Sequence, residues 1–402
     1  MHAHPPVGER THDRPSLEVA DIVRLHGEEF VRTHTLSPDQ HAVLRAISRC
    51  RTAVLGGHVD VCDACGHAAV AYNSCRNRHC PKCQALSQAR WIESRMQRVL
   101  PTHAFHVVFT LPSELQGLVM TNREQLFPLL FATTAEALLE LGRDPRWLGA
   151  ELAITSVLHT WTRDLRFHPH IHCVVSGGGL SFDGTSWIPT PRNFLLPVRV
   201  LGALLRGKFL ARLSQLYERG ALHFDGPAAT LADPARFARV RDKLYRTRWV
   251  VYSKPPFGGP EQVFRYLGRY THRVGISNRR LVALDERGVT FRTRAEQTVT
   301  LSSDEFLRRF LLHVLPKGFV KIRHYGLMAA SNVPTRLAAA HRLLQCHSQP
   351  QTPDEPPASS DFRDLLFILT GIDLYRCPRC HAIAMHRHPL PTIDPALPPD
   401  TS

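Results

Sequence analysis

Nowhere in this 402-residue chain does an apolar run approach the ~18 residues that a membrane-crossing helix needs. The N-terminus also lacks the hydrophobic stretch of a secretory signal, so the expected location is cytoplasmic and no membrane partner is expected. Acidic side chains are in deficit: 35 Asp and Glu face 50 Lys and Arg, a formal charge of +15 with histidine neutral. That imbalance favours a polyanionic partner such as nucleic acid, which in a bacterium would place the protein at the nucleoid. No GxxxxGK[ST] loop is present to cradle a triphosphate, so no step is expected to draw on ATP. Cysteine, by contrast, is present ten times, several of them in CxxC pairs. In a chain without an export signal, that usage points to bound metal rather than disulfides.

The length exceeds what one hydrophobic core usually holds, so more than one domain is expected. Residues 1–15 are rich in His, Pro and Arg with little to bury, and read as a disordered lead. Residues 16–100 read as a helical and zinc-binding domain, 101–345 as the main domain, 346–361 as a polar, Pro-rich linker, and 362–402 as a C-terminal segment. Ser37-Pro38-Asp39-Gln40 spells a helix start: Ser37 can cap, Pro38 suits the first helical position and Gln40 can close a capping box. Strands are expected at 104–110 and 154–159, helices at about 123–141 and 197–217, and a hairpin around Asp285-Glu286-Arg287-Gly288. Ser302 and Glu305 have the spacing of a second capping box. Residues 317–323 alternate, which as a strand would set Val320 and Ile322 inward and turn Lys321 and Arg323 outward along a nucleic-acid backbone.

Two CxxC pairs, Cys62/Cys65 and Cys80/Cys83, are separated by fourteen residues, close to the spacing that folds two knuckles around one tetrahedral zinc. Cys75 and His79 lie inside the same stretch and Cys50 and His58 just before it, so a second zinc or a different ligand set stays open. Spacing does not choose between them. Arg76 and Arg78 among these ligands suit phosphate contacts. Farther on, Cys377 and Cys380, with His386 and His388 nearby, read equally as a zinc knuckle and as a pair of free thiols.

The chemistry is expected from two other stretches. In His168-Pro169-His170-Ile171-His172, alternation along a strand projects His170 and His172 from one face, which makes a metal half-site. In Tyr266-Leu267-Gly268-Arg269-Tyr270, helical spacing of four stacks two hydroxyls on one surface. Either alone is more often ordinary structure: a hydrogen-bonded histidine pair, or two packed rings. Their conjunction suggests metal-assisted attack on phosphate.

At this point the chain resembles the two-tyrosine HUH transposases of the rolling-circle insertion-sequence-91 group. The resemblance rests on residues 74–83 (SCRNRHCPKC), on Leu158-His159-Thr160-Trp161 leading into His168 through His172, on residues 266–280 (YLGRYTHRVGISNRR) and on 316–326. It implies an α+β fold in which a small zinc-binding domain precedes an antiparallel-sheet HUH endonuclease core with helices on its faces. It further implies that His170 and His172 hold a catalytic divalent ion, magnesium or manganese, while a structural zinc sits in the cysteine segment. Tyr266 and Tyr270 would be the nucleophiles on single-stranded DNA at transposon ends and target. Lys254, Arg269, Arg273, Arg279 and Arg280, with Arg76, Arg78, Lys321 and Arg323, would neutralise phosphates. A third metal ligand is not placed by the motifs. A plasmid replication initiator or relaxase with the same core, and a non-enzymatic zinc protein that binds DNA, are the alternatives.

Overall fold

The computed structural model describes residues 16–83, 92, 96, 98–254, 275–294, 297–345, 367 and 373–392. The expected lead at 1–15, the linker at 346–361 and the tyrosine-bearing segment all lie outside the described residues. What is described is the expected α+β arrangement, with antiparallel sheets and helices packed on them.

The largest sheet runs in the order β11-β4-β5-β3-β7, built from Ile322–Gly326, Glu151–Trp161, Phe167–Leu180, Ala104–Thr110 and Val251–Lys254. A short strand β6 (Trp187–Pro189) also pairs with β5. Alternation decides what each face does. Ile171, Cys173 and Val175 of β5, Phe105, Val107 and Phe109 of β3, and Ile154 and Leu158 of β4 all enter the main hydrophobic core. Two long helices cover them: α3 (Arg123–Arg143), through Phe127, Leu130 and Phe131, and α4 (Val198–Glu218), through Leu205 and Phe209. Because that face is filled, the residues in antiphase carry the histidines on the other.

A second core joins chain segments far apart in sequence. Helices α1 (Val19–Thr33) and α2 (Pro38–Arg49) bury Ile22, Val23, Phe30 and Ile47 against Phe291, Phe306 and Phe310. Those phenylalanines come from a three-stranded meander, β8 (Leu281–Asp285), β9 (Gly288–Arg294) and β10 (Gln297–Leu301), and from helix α6 (Ser303–Leu311). The α2 start is the expected capping box: Ser37 Oγ accepts from the Gln40 amide at 3.3 Å while Gln40 Oε1 accepts from the Ser37 amide at 2.9 Å. At α6 only half of the box forms. Ser302 Oγ accepts from the Glu305 amide, but the Glu305 carboxylate turns to Arg308 and Arg309.

Between α5 (Pro234–Arg246) and β7 the Trp249 ring is buried against Phe209. A last helix, α7 (Ala338–Gln345), packs with Leu327 and Met328 after β11. A separate sheet, in the order β12-β1-β2, combines β1 (Gly57–Cys62) and β2 (Ala68–Tyr72) with β12 (Met385–Leu390). The C-terminal segment is therefore built into the N-terminal sheet.

Candidate active site

His170 and His172 share the face of β5 opposite the helix-covered core, as alternation requires, and the pairing of β4 and β5 sets His159 directly across from His170. The ligand nitrogens of His159, His170 and His172 lie within 4.8 Å of one another. His168 also shares that phase, but its ring lies outside this group.

Each imidazole is oriented by a different neighbour. His170 Nδ1 is 2.6 Å from the His168 carbonyl oxygen, which places the proton on Nδ1 and leaves the lone pair on Nε2. His172 Nδ1 pairs with His106 Nε2 of β3 at 2.7 Å. His159 lies against the Trp161 indole, with ring centroids 4.8 Å apart and planes 19° from parallel. A register shift in β4 falls between His159 and Trp161, the kind of irregularity that re-aims side chains beside a site.

All of these rings are held neutral. Burial pushes His170 and His106 down to about 4, and pushes His159 and His172 well below the ordinary histidine value, with neighbouring imidazoles adding to the effect. Neutral nitrogen donors converging from two strands fit a divalent ion with open coordination positions. Lys321 completes this corner: its ammonium is 6.0 Å from the Trp161 ring, and burial, with Arg78 nearby, pushes it down to about 7.

The expected zinc set is corrected. Cys62, Cys65, Cys80 and Cys83 do not share a site: Cys80 and Cys83 converge with Cys50 and Cys75, whereas Cys62 and Cys65 converge with Cys377 and Cys380. Within the first group Cys50 and Cys80 sulfurs are 3.6 Å apart, as are Cys75 and Cys83. Tetrahedral zinc with Zn–S near 2.3 Å has sulfur edges of about 3.8 Å, so this set fits the ion. His79 is not part of it. Its Nδ1 faces Asn77 Oδ1 at 3.1 Å and its Nε2 accepts from the Leu315 amide at 3.2 Å, so both ring nitrogens are used.

Several cations expected on phosphate are engaged within the protein. Arg78 donates to the carbonyl oxygens of Leu315, Pro316 and Phe319. Arg280 donates to those of Gly275, Arg292 and Arg163 and lies over the Phe291 ring. The alternation expected for 317–323 also fails, because Gly318 turns the chain with φ +75 and the strand begins only at Ile322. Arg323 consequently stacks on Phe131 and Phe319 on the helix side, and Val320 is exposed. Arg76, Arg279 and Lys254 are exposed, and Lys254 stands opposite His106 at the end of β7. Tyr266, Tyr270, Arg269 and Arg273 lie outside the described residues; the chain leaves the described part at Lys254, beside the histidines, and re-enters at Gly275.

Comparison with known proteins then decides the family. Residues 153–335 match the family described as "Putative transposase" and residues 22–111 match the "Transposase zinc-binding domain". The chain is 48% identical over 375 residues, 92% of its length and 94% of the relative's, to "Putative transposase y4qJ" of Sinorhizobium fredii (strain NBRC 101917 / NGR234). The chain belongs to the insertion-sequence-91 family of transposases. This transposase is also 27% identical over 355 residues, 83% of its length and 80% of the relative's, to the "Transposase for insertion sequence element IS801" of Pseudomonas savastanoi pv. phaseolicola. No solved structure matches it.

Proposed function

We propose that this transposase cuts and rejoins single-stranded DNA at the ends of its element through 5′-phosphotyrosine intermediates, as in rolling-circle transposition. The observation that carries this reading is the neutral triad of His159, His170 and His172 on the face of the main sheet opposite the helix-covered core. A magnesium or manganese ion held there would polarise the scissile phosphate. His106 and the His168 carbonyl keep the ligand rings oriented. Tyr266 or Tyr270 supplies the attacking oxygen: as its O–P bond forms and the bond to the 3′-oxygen breaks, the phenol loses its proton and the departing 3′-oxygen takes one up, leaving as a hydroxyl. The phosphodiester becomes a phosphotyrosine ester, so rejoining needs no external energy source. A second tyrosine four positions away allows a second cut while the first ester persists. Among the described residues, Lys254, Arg279 and Arg76 are expected cations that stand exposed to meet phosphate.

The test is incubation of the protein with labelled single-stranded element-end DNA and manganese, followed by denaturing electrophoresis. A covalent adduct is expected from the wild type and none from the Tyr266→Phe/Tyr270→Phe double substitution. An adduct of wild-type yield from the double variant would refute the proposal.

A further inference from the structure

Two CxxC turns remote in sequence fold alike. In the first, the Gly66 amide donates to the Cys62 carbonyl and the Cys62 amide to the His67 carbonyl, both at 2.8 Å. In the second, the His381 amide donates to the Cys377 carbonyl at 2.9 Å and the Cys377 amide to the Ala382 carbonyl at 2.8 Å. The residue after each second cysteine is left-handed, with φ +70 at Gly66 and +61 at His381. His381 has a Cβ, so this conformation carries strain that persists only where the surroundings fix it. The Arg379 amide also points at Cys377 Sγ, 3.4 Å away, a donor suited to a thiolate.

The two turns face one another. Cys62 and Cys380 sulfurs are 3.6 Å apart, Cys65 and Cys377 sulfurs 3.7 Å, and all four lie within 4.8 Å. A disulfide would need about 2.05 Å, whereas the edges of a zinc–thiolate tetrahedron are about 3.8 Å. Behind the sulfurs, β12 pairs with β1 from Cys62↔Met385 to Gly57↔Leu390, and Arg387 grips Asp60 with two bonds of 2.7 and 3.0 Å. The matched zinc-binding domain ends at residue 111 and so contains only half of this ligand set.

We propose that these segments form one zinc ribbon split across the chain, in which Cys62, Cys65, Cys377 and Cys380 bind a second zinc that fastens the C-terminal knuckle and β12 to the N-terminal sheet. It is a different ion from the one at Cys50, Cys75, Cys80 and Cys83. Without it, β12 is held by strand pairing, by the Asp60–Arg387 pair and by the 3.1 Å contact of His386 with Asp63.

Elemental analysis of the purified full chain tests this. Two zinc ions per chain are expected in the wild type, and one in Cys62→Ser/Cys65→Ser, in Cys377→Ser/Cys380→Ser and in the quadruple variant alike, since both pairs serve one ion. Two ions retained by Cys377→Ser/Cys380→Ser, or a further loss in the quadruple variant, overturns the proposal. A second measurement does not depend on the quadruple variant folding. With a protease site inserted within residues 347–361 and cut, the C-terminal fragment should co-elute with the rest of the wild type and separate from it in Cys377→Ser/Cys380→Ser. Separation from the zinc-loaded wild type, or equal retention in both, contradicts the clasp.

Discussion

Each ring of the histidine triad is fixed by a different neighbour, so substitution should separate ligation from orientation. His159→Ala is expected to lower cleavage about 100-fold or more, as His170→Ala and His172→Ala should, because each would remove one donor to the proposed ion that polarises phosphate. His106→Phe keeps the ring and loses the 2.7 Å partner of His172, so it should weaken manganese binding about 10–100-fold and recover rate as manganese is raised. Metal titration of nicking distinguishes the two classes. A pH effect follows from two structural histidines outside the triad. Burial holds His79 and His313 down to about 3, with nearby cations adding to it. Between about 3 and the ordinary 6.5 the unfolded chain therefore binds more protons than the folded one, and stability falls as pH drops. The slope is about 1.4 kcal/mol per pH unit for each group. Urea midpoints at pH 7 and 5.5 should show a smaller drop in His79→Gln than in the wild type.

Among the elements, strands and helices with a clear period were legible in the chain: β3 lies at the expected 104–110, and α3 and α4 begin and end within two residues of expectation. Pairing was not legible. Alternation put His170 and His172 on one face, but His159 joins them only because β4 lies beside β5 in a particular register, and register depends on contacts distant in sequence. The cysteines teach the same lesson, since spacing identifies a knuckle but not its partner, which here comes from 312 positions away. The misread stretch at 317–323 failed for a local reason, the Gly318 turn that delays the strand. One element depends on a single glycine. Gly326 ends β11 with φ +58, and a Cβ there would run into the Leu152 carbonyl oxygen. Gly326→Ala should therefore cost about 2–4 kcal/mol, read as a lowered urea midpoint, and should loosen the edge of the sheet next to β4.

Across the whole molecule, a charge of +15 predicts that affinity for single-stranded DNA falls steeply with salt. The internal engagement of Arg78, Arg280 and Arg323 moderates that expectation, leaving the slope to exposed cations such as Arg76, Arg279 and Lys254. Lys254→Ala should reduce the slope of log affinity against log salt by about one unit or less. The claim on which everything else depends is that three imidazoles from two paired strands form the catalytic metal centre. It is tested most directly by the yield of covalent protein–DNA adduct from His159→Ala, measured across a manganese titration beside the wild type. The expected result is no adduct at manganese concentrations that saturate the wild type, with the variant still folded and still binding DNA. A wild-type yield at the same manganese concentration would contradict it.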